Sequence, residues 1–209
     1  MKKILFLSLV VSLTAVAQTP PRKALIGLLA KPAANGIVAD SILPNSSFAA
    51  LAIQKGDIIT GINGNSINSM ESYGKSVSGI RTGERITVVF TRNGKLSQAS
   101  AIAVMRPYEQ SAIADVQYDW VKFRNGYLRA ITRKPKGKEK CPAILLIPGY
   151  GCGSIENYMS SYNGKLLTEW LKAGYAVITI EKSGLGDSYN CVPCSEVDLA
   201  TDIESFDAG

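Results

Sequence analysis

Gln54-Lys55-Gly56-Asp57-Ile58-Ile59-Thr60-Gly61-Ile62-Asn63-Gly64 reads as a short strand over 57–62, entered past one glycine and left through an Asn-Gly turn. The same pattern repeats outward on both sides. Strands are expected over 25–29 and 36–42 before it, and over 85–91 and 96–104 after it. The last two are joined through Arg92-Asn93-Gly94-Lys95, where Asn-Gly is the strongest short hairpin signal. Two helical patches interrupt the strands. One is a short turn over 48–53. The other runs from about Ser69 to Ile80, with Asn68 as N-cap, Glu71 three residues on, and Tyr73, Val77 and Ile80 on one face. Residues 22–105 therefore read as a small β-rich module.

Four stretches carry a family resemblance: Leu25-Ile26-Gly27-Leu28, Pro44-Asn45-Ser46-Ser47-Phe48-Ala49-Ala50, Gln54-Lys55-Gly56-Asp57-Ile58-Ile59 and Ile62-Asn63-Gly64. Together they resemble a bacterial PDZ domain over about 80 residues. The resemblance implies that the C-terminus of a peptide or protein adds a strand beside 25–29. Its carboxylate would be held by the N–H groups of Ile26, Gly27 and Leu28, with Tyr73 and Val77 on the facing helix. Taken singly, Leu25, Ile26 and Leu28 also read as plain strand residues, and Tyr73 and Val77 as core. One position departs from the family: Ala52 stands where a glycine is usual, and a left-handed backbone there would strain an alanine.

Composition narrows the chemistry. The 209 residues are 46% hydrophobic and 19% charged, an ordinary globular balance. Lys plus Arg number 23 against 17 Asp plus Glu, a net +6 with the positives scattered, which gives no case for nucleic acid. There is no histidine, so neither a Ser-His-Asp machine nor an imidazole-bound metal can be completed within this sequence. Lys2 and Lys3, the apolar run from Ile4 to Val11, and Ala15-Val16-Ala17 form the n-region, h-region and cleavage pattern of a signal peptide over 1–17. That segment is too short to span a bilayer, and no later one is apolar enough. An exported, periplasmic or secreted protein is expected. Cys141, Cys152, Cys191 and Cys194 would then meet an oxidising compartment. Three full pairings are open, and structural disulfides are favoured over redox or zinc use of Cys191-Val192-Pro193-Cys194. No cofactor or metal is indicated.

A linker over 106–113 leads to a second part, 114–209. Strands are expected over 116–123 and 127–132 around an Arg124-Asn125-Gly126 hairpin, followed by a solvated cationic turn over 133–140. Ala143-Ile144-Leu145-Leu146-Ile147 is a continuous apolar run, as in a strand buried on both faces. Leu166, Leu167, Trp170 and Leu171 form a helical stripe ended by Gly174 as a C′ residue, and 175–180 is the next buried strand. If the two strands pair in parallel, the unit is a right-handed βαβ. Ser195 and Asp198 open a further helix with Leu199, Ile203 and Phe206 on one face. The expected fold class is mixed: a β-rich module and an incomplete α/β domain.

Two loops leave the C-terminal ends of those strands: Pro148-Gly149-Tyr150-Gly151-Cys152-Gly153-Ser154 and Glu181-Lys182-Ser183-Gly184-Leu185-Gly186-Asp187-Ser188. In order and spacing they resemble the front half of a serine α/β-hydrolase of esterase or peptidase type, over about 95 residues. The resemblance implies acyl transfer on an ester or peptide substrate, with the N–H groups of Tyr150 and Gly151 as oxyanion donors. It also implies that Cys152 and Cys194 meet at the sheet's edge and form a disulfide. The glycines spaced four apart centre on Arg81 and Gly151, so no G-x-S-x-G elbow is present. The sequence is expected to be the inactive N-terminal portion of a longer hydrolase. The alternative is a non-enzymatic, exported peptide-binding protein.

Overall fold

The computed structural model describes residues 20–147, 152–156 and 164–190. One regular feature is the hairpin of β5 (Arg85–Arg92) and β6 (Lys95–Ile102), paired without a slip from Arg85↔Ile102 to Arg92↔Lys95. Asn93 and Gly94 both take positive φ, 51° and 77°, the turn whose twist matches the strands it joins. Around this hairpin stand β1 (Leu28–Ala33), β2 (Gly36–Ile42), β3 (Ile58–Ile62) and the two-residue β4 (Asn65–Ser66), in the order β1-β2-β3-β5-β6 with β4 on β3. Ile37, Phe48, Ile59, Ile62, Ile86 and Val88 are fully buried at its centre.

Two helices cover this sheet: α1 (Ser47–Ala50) and α2 (Met70–Ser78). The cap of α2 is Ser69, not Asn68. Ser69 Oγ accepts the Ser72 N–H at 3.1 Å, and Ser72 Oγ accepts the Ser69 N–H at 3.0 Å, so a serine rather than Glu71 closes the capping box. Glu71 instead pairs with Lys75 one turn on, at 2.8 Å on the exposed face. The expected strand over 25–29 begins only at Leu28, because 25–27 is held by carbonyl contacts to α1 and its approach.

The second sheet has the order β7-β8-β10-β9, built from β7 (Ala114–Phe123), β8 (Gly126–Pro135), β9 (Ala143–Leu146) and β10 (Ala176–Ile180). β9 and β10 pair in parallel, joined through α3 (Gly164–Lys172), and Gly174 follows with φ 91° as the expected C′ glycine. Among the described residues no helix is long and apolar enough to cross a membrane.

Three expectations are corrected here. β9 is not buried on both faces: it lies at the sheet's edge, and Leu145 and Ile147 are 55% and 69% exposed. Gly126 is not a turn residue. The turn is Arg124-Asn125, with Arg124 at φ 50°, and Gly126 pairs with Phe123. A Cβ at Gly126 would run into the carbonyls of Tyr189 and Asn190, which explains the glycine. Finally, Arg133 does not belong to a solvated tip. It is fully buried and grips Glu109 of the 106–113 segment through Nε (2.6 Å) and Nη2 (2.7 Å), while Nη1 donates to Thr179 Oγ1 (2.9 Å). The exposed character expected of the turn is confined to residues 136–140, with Lys136, Lys138 and Lys140 as its cations. The expected signal segment, the helix near 195–206, and Tyr150, Gly151, Cys191 and Cys194 lie outside the described residues.

Candidate functional site

The stretch ahead of β1 has an unusual backbone economy. Three successive carbonyls are tied to one short segment: Leu25 C=O accepts the Ser47 N–H (2.9 Å), Ile26 C=O the Phe48 N–H (3.2 Å), and Gly27 C=O the Leu43 N–H (2.7 Å). In a trans peptide the N–H of the next residue points opposite to each carbonyl, and no peptide here is cis. The N–H groups of Ile26, Gly27 and Leu28 therefore face away from 43–48. Successive N–H groups in such a turn form an anion-binding concavity.

Gly27 makes this turn possible. Its φ is 71°, and a Cβ there would overlap the side chain of Ser46. Ser46 cannot yield, since it is buried and caps α1 by accepting the Ala49 N–H. β1 is an edge strand, and α2 lies along its open side. Tyr73 of α2 donates its hydroxyl to Leu28 C=O across this gap, at 3.4 Å. Its ring meets Phe48 edge-on at 6.5 Å, and burial pushes its phenol up to about 12, so the hydroxyl stays a donor throughout the neutral range. Ile26, Ala30 and Val77 are half-buried against the same core. Of the five residues expected at the groove, Ile26, Gly27 and Leu28 are contiguous and Tyr73 bonds to Leu28, while Val77, one turn on from Tyr73, packs against the same core.

The Gly-Asp pair before β3 acts at a distance from the groove. Asp57 is buried and takes Arg92 bidentately, at 2.8 Å to Nε and 2.7 Å to Nη2, together with the Gln54 N–H at 2.8 Å. Burial would raise its carboxyl, but the Arg92 hydrogen bonds, the Gln54 N–H and the Arg92 charge together hold it below the usual range. Arg92 Nη2 also donates to Ala52 C=O (2.9 Å), which pins the left-handed turn. Ala52 does adopt φ 55° despite its Cβ.

At the second sheet the parallel pairing of β9 and β10 brings the C-terminal ends of both strands to one rim, where segments 154–155 and 181–188 meet. Glu181, nearly fully buried, links them: its carboxylate accepts the Ile155 N–H (3.1 Å) and the Ser154 hydroxyl (3.0 Å). Gly186 packs so closely that a Cβ would strike this carboxylate. Burial pushes the Glu181 carboxyl up, aided by the nearby Asp187 charge and opposed by the Ile155 and Ser154 donors and by Lys23. Ser188 is buried and its Oγ accepts the Arg129 N–H (3.2 Å), so it supports the loop instead of standing free as a nucleophile. Cys152 is disulfide-bonded and Cys141 is a free thiol. Among the described residues no group of three or more His, Cys, Asp or Glu is placed to hold a metal ion.

Sequence reasoning missed the joint between the two sheets. Asp187 reaches back to the first sheet, accepting from Arg22 Nε (2.8 Å) and the Lys23 N–H (2.7 Å). Lys23 Nζ donates to Gly184 C=O (3.2 Å). Arg81 adds bonds to the carbonyls of Asp187 (3.0 Å) and Ser188 (2.9 Å). Arg22 also pairs with Glu156, and its guanidinium stacks on Tyr108 and Tyr118 at 4.3 and 4.9 Å. An Arg-Lys pair before a strand carries no signal of this in one sequence.

Residues 24–102 match the model of the PDZ domain family. They form a bacterial PDZ domain. Part of the chain is 36% identical, over 63 residues, to the periplasmic serine endoprotease DegP of Escherichia coli (strain K12), covering 30% of this chain and 13% of DegP. The chain thus spans about an eighth of that relative's length. Solved structures with lesser likeness include the HtrA-type protease AlgW with decapeptide, at 21% identity over 42% of this chain and 31% of that one, TM-score 0.39. The serine endoprotease from Yersinia pestis matches at 24% identity over 41% and 30%, TM-score 0.36. The second sheet lies outside the matched PDZ residues.

Proposed function

We propose that the PDZ domain captures the free C-terminus of a peptide or protein in an exported, periplasmic or secreted protein. One observation carries this: the carbonyls of Leu25, Ile26 and Gly27 are all anchored to 43–48, which turns three consecutive N–H groups away from that segment at the start of β1. The likeness to a periplasmic serine endoprotease supports both the peptide ligand and the compartment. Calorimetric titration with one peptide in two forms tests it. The free acid should bind, and the C-terminal amide should bind at least about tenfold more weakly, because charge-assisted bonds to N–H groups are lost. Equal binding of both forms would refute it.

A second reading is favoured by the rim geometry. The parallel β9/β10 pair, the helix between them and two loops bridged by Glu181 support a module attached to the front of a serine α/β-hydrolase, of esterase or peptidase type. Tyr150 and Gly151 would be its oxyanion donors, with Cys194 as the disulfide partner of Cys152 holding the loops together. Nucleophile and histidine would come from sequence beyond residue 209. Reading the gene past that codon decides between this and a non-enzymatic peptide-binding protein: a G-x-S-x-G elbow with a later acid and histidine supports the hydrolase. Non-reducing peptide mapping that joined Cys152 to Cys191 would overturn the disulfide assignment.

A further inference from the structure

We propose that Tyr73 restricts the last residue of the captured peptide to a small apolar side chain such as alanine or valine; this rests on the peptide-capture reading above. Leu28 fixes the geometry. Gly27 C=O accepts the Leu43 N–H, the bond that flanks a non-hydrogen-bonded antiparallel pair, here Leu28 with Ile42. Both polar groups of Leu28 therefore face the open edge of β1, and the Tyr73 hydroxyl sits on that carbonyl from the α2 side.

A peptide carboxylate resting on the Leu28 N–H would place the N–H of its own last residue on Leu28 C=O, completing a closely spaced pair. Residues directly opposite in such a pair project to the same face. The Leu28 side chain lies on the buried face, 8% exposed, whereas Leu29 points outward at 68%. The last side chain of the peptide thus enters beside Leu28, against the Tyr73 ring. That ring is backed edge-on by Phe48, which is fully buried, so it has nowhere to withdraw. Its hydroxyl is a lesser obstacle. The contact is long at 3.4 Å, and a carbonyl oxygen offers two lone pairs.

The test uses the full chain and three fluorescent decapeptides that differ only in a final Ala, Val or Phe, all with free carboxylates. Wild type is expected to bind the Ala and Val peptides at least about tenfold more tightly than the Phe peptide, as over-packing a filled site demands. Tyr73→Phe should keep that order and raise affinity by no more than about fourfold, the gain from removing one weak competing bond. Tyr73→Leu, which shortens the side chain and keeps an apolar core, should erase most of the penalty on Phe, with folding verified by its thermal melt. Wild-type binding of the Phe peptide as tight as that of the Ala peptide overturns the proposal whatever the variants do. So does unchanged selectivity in folded Tyr73→Leu, and either result leaves peptide capture standing. Failure of all three peptides to bind overturns capture as well.

Discussion

Asp187→Ala should loosen the joint between the two sheets, and its cost can be worked from the contacts. The substitution leaves Arg22 and Arg129, each 4% exposed, facing a removed charge, and deprives the Lys23 N–H of its acceptor. Breaking one buried pair typically costs about 3–5 kcal/mol. Glu156 still pairs with Arg22, and two tyrosine rings still stack on it, so the lower end applies, about 3 kcal/mol. Asp187→Asn keeps an acceptor for Lys23 and should cost about half as much, as expected for one charge-assisted bond. Urea unfolding of the oxidised protein measures this. Both tryptophans, Trp120 and Trp170, belong to the second sheet and its helix, so fluorescence reports that part while far-UV circular dichroism reports both. Wild type should give coincident transitions. With a slope near 2 kcal/mol per molar urea, Asp187→Ala should move the midpoint down by about 1.5 M, and the two probes should separate. A shift below about 0.3 M with coincident probes would refute the claim that this carboxylate couples the sheets.

Other perturbations have equally definite outcomes. Gly27→Ala must hold φ near 71° and displace the buried Ser46 side chain, so it should cost more than about 2 kcal/mol in urea unfolding and abolish peptide binding. Ala52→Gly relieves about 1–2 kcal/mol of left-handed strain but loses about 0.4–1 kcal/mol through the unfolded state; a net gain of about 0.5–1 kcal/mol should appear as a higher Tm. The depressed Asp57 carboxyl stabilises the fold above the ordinary aspartate value near 3.9, and that contribution is lost as pH falls through the lower folded value. The stability gap between wild type and Asp57→Asn should therefore close on acidification below about pH 4. Glu181 behaves in the opposite sense. Its raised carboxyl binds a proton more readily folded than unfolded, so its contribution falls as pH rises from the ordinary glutamate value, near 4.3, through the higher folded one. Glu181→Gln should flatten that part of the stability profile, and an unchanged slope would count against the assigned burial effect.

What the sequence revealed was chiefly local. The strand over 36–42, the Asn93-Gly94 hairpin and the Gly174 helix end follow from alternation and turn chemistry, and they stand where expected. Errors arose where a distant neighbour decides. Gly126 looked like a turn glycine, but its lack of a Cβ answers to the carbonyls of 189 and 190. Arg133 looked solvated among lysines, yet Glu109, 24 positions upstream, makes it a buried cation. The apolar run of β9 looked doubly covered, yet Leu145 and Ile147 stand exposed because no strand lies beyond it among the described residues. The groove was legible only through family resemblance: the bonds that turn three carbonyls the same way come from 43–48, and no periodicity in 25–28 encodes them.

The segment 22–28 serves two purposes at once. Arg22 and Lys23 hold Asp187 of the second sheet's loop, and three residues past Lys23 the same backbone begins the set of N–H groups that the proposed peptide capture would use. The 106–113 segment, expected to be a simple linker, is likewise anchored: Glu109 is locked to Arg133, and its N–H donates to the Tyr118 hydroxyl at 2.9 Å. Two attachments, one on each side of the PDZ domain in sequence and both meeting Tyr118, oppose free swinging of that domain about its connection. A peptide held in the groove would therefore lie at a fixed direction and distance from the rim carrying Glu181 and Gly186. Recruitment by a tethered module raises local concentration in every direction, whereas a clamped module favours only substrates whose reactive bond lies one set length from the C-terminus. Peptides of graded length ending in the same residue separate these modes in any longer, catalytically complete form of the protein. A sharp length optimum follows from the clamp, and a flat length profile would mean that the Asp187 and Glu109 contacts do not hold in solution.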